Sequence, residues 1–207
     1  MLEKIIRDFV MIWTTIDPIS TLALFAGLTA SLTAAERRGI AQRATFYAAI
    51  ILVVAVVIGQ IVLDAMGIRL LSLKVAGGII LFLFGLQMLF GSASRETGSH
   101  EKGRDLAVFP LAVPTIAGPG AIMAVILLTD NDVYSVPEQI QTAVVLLVVL
   151  GLTYVLLLVS DAILRVIGQQ GAAILVRVMG ILLAALSVEL VLSALGIGPW
   201  ATPETLS

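Results

Sequence analysis

The sequence predicts an all-α membrane protein whose six transmembrane helices form two inverted three-helix repeats, with helices 1 and 4 broken near the bilayer midplane. Three observations carry that reading. The 207 residues are 59% hydrophobic and only 13% charged, whereas soluble domains run at roughly 45–50% and about 25%. The apolar residues fall into six continuous runs. Two of those runs, 100 residues apart, are interrupted by proline in the same way.

The runs cover residues 5–29, 44–63, 70–90, 106–129, 142–164 and 172–195. Crossing the hydrocarbon takes about 20 residues of helix, so six spans need about 120 apolar-dominated positions, close to all that the chain has. Continuous rather than alternating apolar character selects helices over barrel strands. The first run reads as a retained span and not a leader, because Asp17-Pro18 interrupts it and no small-residue cleavage site follows. The whole chain, 1–207, is one integral membrane domain: a first repeat over about 1–90, a polar linker at 91–105 and a second repeat over about 106–200.

Asp17 lies at the centre of the first run, where a carboxylate costs about 2.5–3.5 kcal/mol on insertion scales. Pro18 disrupts the helix before it and suits the first turn of a new one. Asp17 is therefore the expected N-cap, with Ser20 and Thr21 in the first turn. The second run is unbroken and closes on Asp64-Ala65. The third carries Lys74 in its first turn, where a long basic chain reaches the interface, Gly77-Gly78 for close helix packing, and Gln87 near its end. The fourth contains Pro110, Pro114 and Ala117-Gly118-Pro119-Gly120-Ala121, a stretch of backbone little covered by side chains. The fifth closes on Asp161-Ala162, and Asp161 and Arg165 have the i, i+4 order of an ion pair. The sixth carries Arg177, Gly180 and Glu189.

The repeat is read from three pairs in order. Thr15-Ile16-Asp17-Pro18 faces Thr115-Ile116-Ala117-Gly118-Pro119, and both segments run on to Leu-Thr at 28–29 and 128–129. Residues 78–87 match 180–189, and Asp64-Ala65 answers Asp161-Ala162. Three spans per half oblige the second half to enter the membrane from the opposite side, the inverted arrangement of many secondary transporters. With both termini outside, eight basic residues (Arg37, Arg38, Arg43, Arg95, Lys102, Arg104, Arg165, Arg177) lie inside and four (Lys4, Arg7, Arg69, Lys74) outside, which favours that orientation.

Open backbone at membrane depth survives only in protein or beside a wet cavity. Paired breaks in the two halves therefore point to a binding site at their interface, where the half-helices starting at Pro18 and Pro119 would direct positive dipole ends at an anionic group. The substrate-binding candidates are Asp17, Pro18, Ser20, Thr21, Ala117, Gly118, Pro119 and Gly120. Gln87 and Glu189, equivalent under the repeat, are candidates for gating or ion coupling, with interhelical hydrogen bonding as the structural alternative.

Other chemistries lack their parts. A net charge of −2 without a basic stripe argues against nucleic acid. Cysteine is absent and the one histidine, His100, sits in the linker, so neither a zinc site nor a catalytic triad is expected. No phosphate-binding glycine-lysine loop is present. A membrane aspartyl protease needs two carboxylates at one site, but Asp17 is central and Asp161 terminal. No catalytic residue, metal or cofactor is expected, the only ionic coupling envisaged being to a proton or sodium ion.

At these residues the chain resembles the MarC family of six-span bacterial and archaeal inner-membrane proteins. The resemblance rests on Phe109-Pro110-Leu111-Ala112-Val113-Pro114, on Ala117-Gly118-Pro119-Gly120-Ala121-Ile122, on the glycine-rich start of the third span up to Gln87, and on Arg177-Val178-Met179-Gly180. Asp17-Pro18 fits the family's first span, while Ser20, Thr21 and Ala23 depart from its glycine, asparagine and proline, and Glu189 stands where glutamine is expected. The resemblance implies a multi-pass protein of the inner membrane, in a family named for antibiotic resistance and classed with small neutral amino acid transporters. The expected function is secondary transport of a small zwitterionic metabolite such as a neutral amino acid, by rocking of one half against the other. A non-transporting scaffold or lipid-handling protein is the alternative, and an intramembrane enzyme a weaker one. The expected partners are the bilayer and a small molecule; the sequence leaves the oligomeric state open.

Overall fold

The computed structural model describes residues 2–90 and 105–197; His100 and nearly all of the expected linker lie outside the described residues. Every element among the described residues is helical. Helices α1 (Leu2–Ile16) and α2 (Pro18–Leu28) meet at Asp17, and α3 (Ala34–Ala65) and α4 (Leu70–Phe90) follow. A wide, irregular helical segment, Ala107–Ile116, then turns through 52° into α5 (Pro119–Leu128), followed by α6 (Val136–Leu158) and α7 (Ser160–Ala194). Five units are long and apolar enough to cross a membrane, and the bent pair makes a sixth.

Two helices start before their apolar runs, for the same local reason. Thr33 and Glu36 form a reciprocal capping box at α3, and Ser135 and Glu138 form one at α6. Each box supplies acceptors to orphan first-turn amides, so the helix begins a turn or more ahead of the residues that enter hydrocarbon. Helix α6 in turn stops at Leu158, earlier than the fifth run, and α7 restarts at Ser160 and is broken again at Gly168, where φ is 66°. Asp161 thus stands in the first turn of a new helix. Its partner is Arg37 and not the expected Arg165; Arg37 also donates to Ser160 Oγ at 3.0 Å and lies over the Phe25 ring.

Polar contacts collect at two opposite ends. Arg37 with Asp161 and Arg43 with Asp105 mark one end. Lys4 with Thr142, Arg7 with Tyr134, Gln60 with Asp130 and Asn131, and Lys74 with Ser193 mark the other. Between them lies apolar core. The two broken units are its centre: Ile12 and Ile16 of α1, Phe25 of α2, Leu111 and Ile116, and Ala121 and Val125 of α5 are buried together. The continuous helices surround them and turn large apolar side chains outward, among them Phe46, Val57 and Ile61 of α3 and Leu83 of α4, as suits contact with lipid.

Helices α4 and α7 pack on one another closely along an antiparallel crossing. A β-carbon at Gly85 would lie 2.7 Å from the Gly180 carbonyl oxygen, one at Gly180 2.8 Å from that of Gly85, and one at Gly78 3.0 Å from that of Ser187. Gly78 and Gly180 thus permit the close packing expected of them, while Gly77 receives Met123 of α5. Since α4 belongs to the first set of three spans and α7 to the second, the sets are interlocked and are not two lobes. Gly180→Leu should cost about 1–3 kcal/mol, because the obstacle is backbone that cannot move aside. Thermal melts of detergent-solubilised protein should show the loss, with Gly151→Ala, which meets nothing within 4 Å, unaffected.

Candidate functional site

Asp17 ends one helix and starts the next. Its N–H still donates to the Trp13 carbonyl at 2.9 Å, its φ of 49° is left-handed, and its Oδ1 accepts from the Ser20 amide at 3.3 Å. Aspartate is among the few residues that tolerate this conformation, which commonly terminates helices. Pro18 supplies the first position of α2 and needs no hydrogen-bond acceptor. Thr21, fully buried, turns its hydroxyl back on α1, donating to the Asp17 carbonyl at 3.0 Å and reaching that of Ile16 at 3.5 Å. The Ser20 hydroxyl is shielded from solvent and makes no hydrogen bond.

The second break is built differently. Phe109 and Val113 are extended, as residues before proline tend to be, and the Phe109-Pro110 and Val113-Pro114 peptides are cis. Thr115 Oγ1 donates to the Pro110 carbonyl at 2.7 Å, and the Ala117 amide to that of Ala112 at 2.8 Å. Gly118 then leads into α5 with ordinary extended angles (φ −77°, ψ 167°) and no side-chain cap. Its small size has a steric use, since a β-carbon there would sit 2.6 Å from the Pro114 carbonyl oxygen; Gly120 likewise makes room for Leu81.

The expected site residues divide accordingly. Asp17, Pro18, Thr21, Ala117, Gly118 and Gly120 are buried, Ser20 is half-buried and Pro119 is exposed. Two apolar grooves mark the surface. One, of about 310 Å³, lies between α1 and α7; the other, of about 380 Å³, lies between α4 and the second break and is lined by Pro114, Ala117 and Pro119. Asp17 lines neither. Gln87 and Glu189 are exposed on α4 and α7, and the structure does not bring them to the breaks.

The sequence pattern described as "MarC family integral membrane protein" matches residues 2–197. The chain belongs to the MarC family. It is 36% identical over 195 residues to a UPF0056 membrane protein of Archaeoglobus fulgidus, covering 91% of this chain and 90% of that one. It is 31% identical over 200 residues to the UPF0056 inner membrane protein YhgN of Escherichia coli K12, covering 96% and 98%. No solved structure matches the chain. As a MarC-family member with this array of apolar helices it is a multi-pass integral membrane protein.

This MarC-family chain also holds a buried ionic cluster that hydropathy passes over. Asp8 is fully buried in α1. Its Oδ2 accepts from Lys4 Nζ and from Thr142 Oγ1 of α6, each at 2.6 Å, and Lys4 Nζ also donates to Thr142 Oγ1. Its Oδ1 lies 3.8 Å from the Arg7 guanidinium, and Tyr134 lies under Lys4 with its hydroxyl 2.8 Å from Arg7. The one sequence signal is that Lys4 precedes Asp8 by four residues within an apolar helix.

Two outcomes follow. Asp17→Asn keeps the cap and the left-handed conformer and should melt like the parent protein, whereas Asp17→Ala should lose about 1–2 kcal/mol. Lys4→Met strands the Asp8 carboxylate and should cost about 3–5 kcal/mol, most of it recovered when Asp8→Asn is added; denaturation of the single and double variants in detergent checks this.

Proposed function

We propose that this MarC-family protein is a secondary transporter of the inner membrane, carrying a small zwitterionic metabolite such as a neutral amino acid by alternating access, with two inverted repeats and both termini outside. The observation that carries the reading is the pair of helix breaks at the centre of the bundle, each followed by a proline-started half-helix that ends on threonine, Thr29 or Thr129, bonded back at 2.7 Å.

The repeat draws further support from contacts that obey a two-fold relation. With an offset of 102, Gly85 corresponds to Ser187 and Gly180 to Gly78, so the Gly85–Gly180 contact is the counterpart of the Ser187–Gly78 contact, and both occur. The capping boxes Thr33–Glu36 and Ser135–Glu138 share that offset and cap helices that start at opposite ends of the bundle.

The two breaks carry opposite electrostatic needs. The N-terminus of α2 already faces its own carboxylate, Asp17, whereas α5 starts at Gly118 with no side-chain cap among the described residues. A zwitterion answers both: its carboxylate goes to the Gly120 and Ala121 amides, beside Ala117, Gly118 and Pro119, and its ammonium, or a coupling proton or sodium ion, goes to Asp17. Ser20 offers an unengaged hydroxyl nearby, and Pro18 and Thr21 hold the break. Gln87 and Glu189 are given no part in holding substrate. The dense packing around Asp17 favours, taken alone, a non-transporting scaffold or lipid-handling protein; under the transport reading this conformer is occluded.

The test is uptake and counterflow of labelled neutral amino acids in proteoliposomes. The parent protein should carry at least one of them, and Asp17→Asn should lower the flux about tenfold or more through loss of one buried charge-assisted contact. Absence of flux for every amino acid with folded protein removes the reading.

A further inference from the structure

The packing does not divide where the sequence repeat divides. Buried apolar residues form two clusters: a large one built from α1, α2, α3, Ala107–Ile116, α5 and α6, and a small one of Leu81, Leu183 and Leu190 with Met123 reaching in from α5, Leu127 packed against it and Met11 of α1 touching both. The long-range polar contacts described above respect the same division. Lys4, Asp8 and Thr142, Gln60 and Asp130, Arg43 and Asp105, and Arg37 and Asp161 join elements of the large body, since Asp161 precedes the break at Gly168; Lys74 and Ser193 join α4 to α7.

The seam between the bodies is largely apolar, closely packed where Leu81 meets Gly120 and Met123 meets Gly77, and grooved on either side of those contacts. Both grooves lie along it: Val10, Met11 and Thr14 of α1 face Leu182 and Leu186 of α7, and Leu73, Ala76 and Ile80 of α4 face Val113, Pro114 and Pro119. The chain enters the smaller body twice, once after Gly67 and once after Gly168. Both glycines are in the left-handed region, with φ of 65° and 66°, and a β-carbon at either would meet nothing within 4 Å. Their positions are 101 residues apart, close to the offset of the repeat. Left-handed glycines outside packed regions are where backbone angles can change at least cost.

We propose that the α4–α7 pair, from Leu70 to Phe90 and beyond Gly168, moves as one rigid body against the rest of the protein, with Gly67 and Gly168 as its hinges and the grooved seam as its sliding surface. This rests on the transport reading and replaces a rocking of one half against the other, which would have to pull apart the glycine contacts between α4 and α7. The motion breaks no ion pair named above, and the glycine contacts it must cross, Leu81 on Gly120 and Met123 on Gly77, are made by flexible side chains and not by backbone.

The chain has no cysteine, so tethers and probes can be added directly. Gly77→Cys with Met123→Cys spans the seam, at a site where a β-carbon on residue 77 would lie 2.4 Å from Met123 Cγ; Gly78→Cys with Val191→Cys, where the corresponding distance to Val191 Cγ2 is 2.6 Å, lies within the small body. The measure is the ratio of oxidised to reduced flux within each variant, since a side chain at 78 also presses on the Ser187 carbonyl. Oxidation of the first pair should lower amino acid flux about tenfold or more, reversibly, and oxidation of the second should leave the ratio at about one. A readout without transport uses spin labels in proteoliposomes on Val133→Cys with Leu71→Cys across the seam, and on Val133→Cys with Ile61→Cys within the large body, all at exposed positions. The cross-seam pair should give two or more distances and the control pair one. A single narrow distance for both overturns the two-body motion whatever the flux; several distances without flux support the motion and remove the amino acid assignment.

Discussion

The structure depends on one constraint: two helices stop in the middle of an apolar bundle, and the peptide groups freed there have no water to bond. Each unsatisfied group would cost several kcal/mol in hydrocarbon. The first break is closed by side chains, Asp17 accepting from the amide of Ser20 and the Thr21 hydroxyl donating to the Asp17 carbonyl. The second is closed mostly by backbone, through the wide turn from Ala112 to Ala117, with Thr115 as its one side-chain donor. Neither solution tolerates contact with lipid. That is why the two units broken at mid-span sit at the centre, and α3, α4, α6 and the part of α7 beyond Gly168 stand around them.

Placing broken units inside leaves the outer helices to make most of the mechanical contacts. Between α4 and α7 the contact is backbone on backbone at Gly85 and Gly180, a packing that gains dispersion energy without polar groups and suits a lipid environment with little hydrophobic drive for association. Between α1 and α6 the contact is polar: the Lys4–Asp8 ion pair lies within α1, with Asp8 wholly enclosed, and both ions hydrogen-bond to Thr142 of α6. A buried pair of that kind adds little net stability but is costly to break, so it fixes the register of two helices more than it strengthens the fold.

Much of this was legible in the sequence, and the misses have physical causes. Hydropathy locates the hydrocarbon crossing and not the helix, so it places the start of α3 at residue 44 although the capping box at Thr33 and Glu36 begins the helix earlier. The i, i+4 rule pairs Asp161 with Arg165 only if both stand in one continuous helix with no better partner; the restart at Ser160 brings Asp161 to Arg37 instead. Asp8 escaped because a charge near the end of an apolar run reads as interfacial, whereas the loop bearing Tyr134 covers this one. The sequence marks the glycines flanking Pro119 as backbone little covered by side chains, but not their use: Gly118 is ordinary in angle and its smallness serves the Pro114 carbonyl.

The strength of the repeat signal at residues 78–87 and 180–189 has its own explanation in packing. If α4 and α7 are equivalent helices crossing near a two-fold axis, any contact between a residue of α4 and one of α7 must occur a second time with the roles exchanged. A small residue needed on one side of the crossing is then needed at the equivalent place on the other. Gly78 and Gly180 are that pair, facing Ser187 and Gly85. Under the proposed repeat, spans remote from the axis meet dissimilar neighbours and are free to diverge, and the two helix starts do differ: Asp17 caps one with a carboxylate, and Gly118 starts the other with no side-chain cap, so two helix ends of like dipole carry unlike charge.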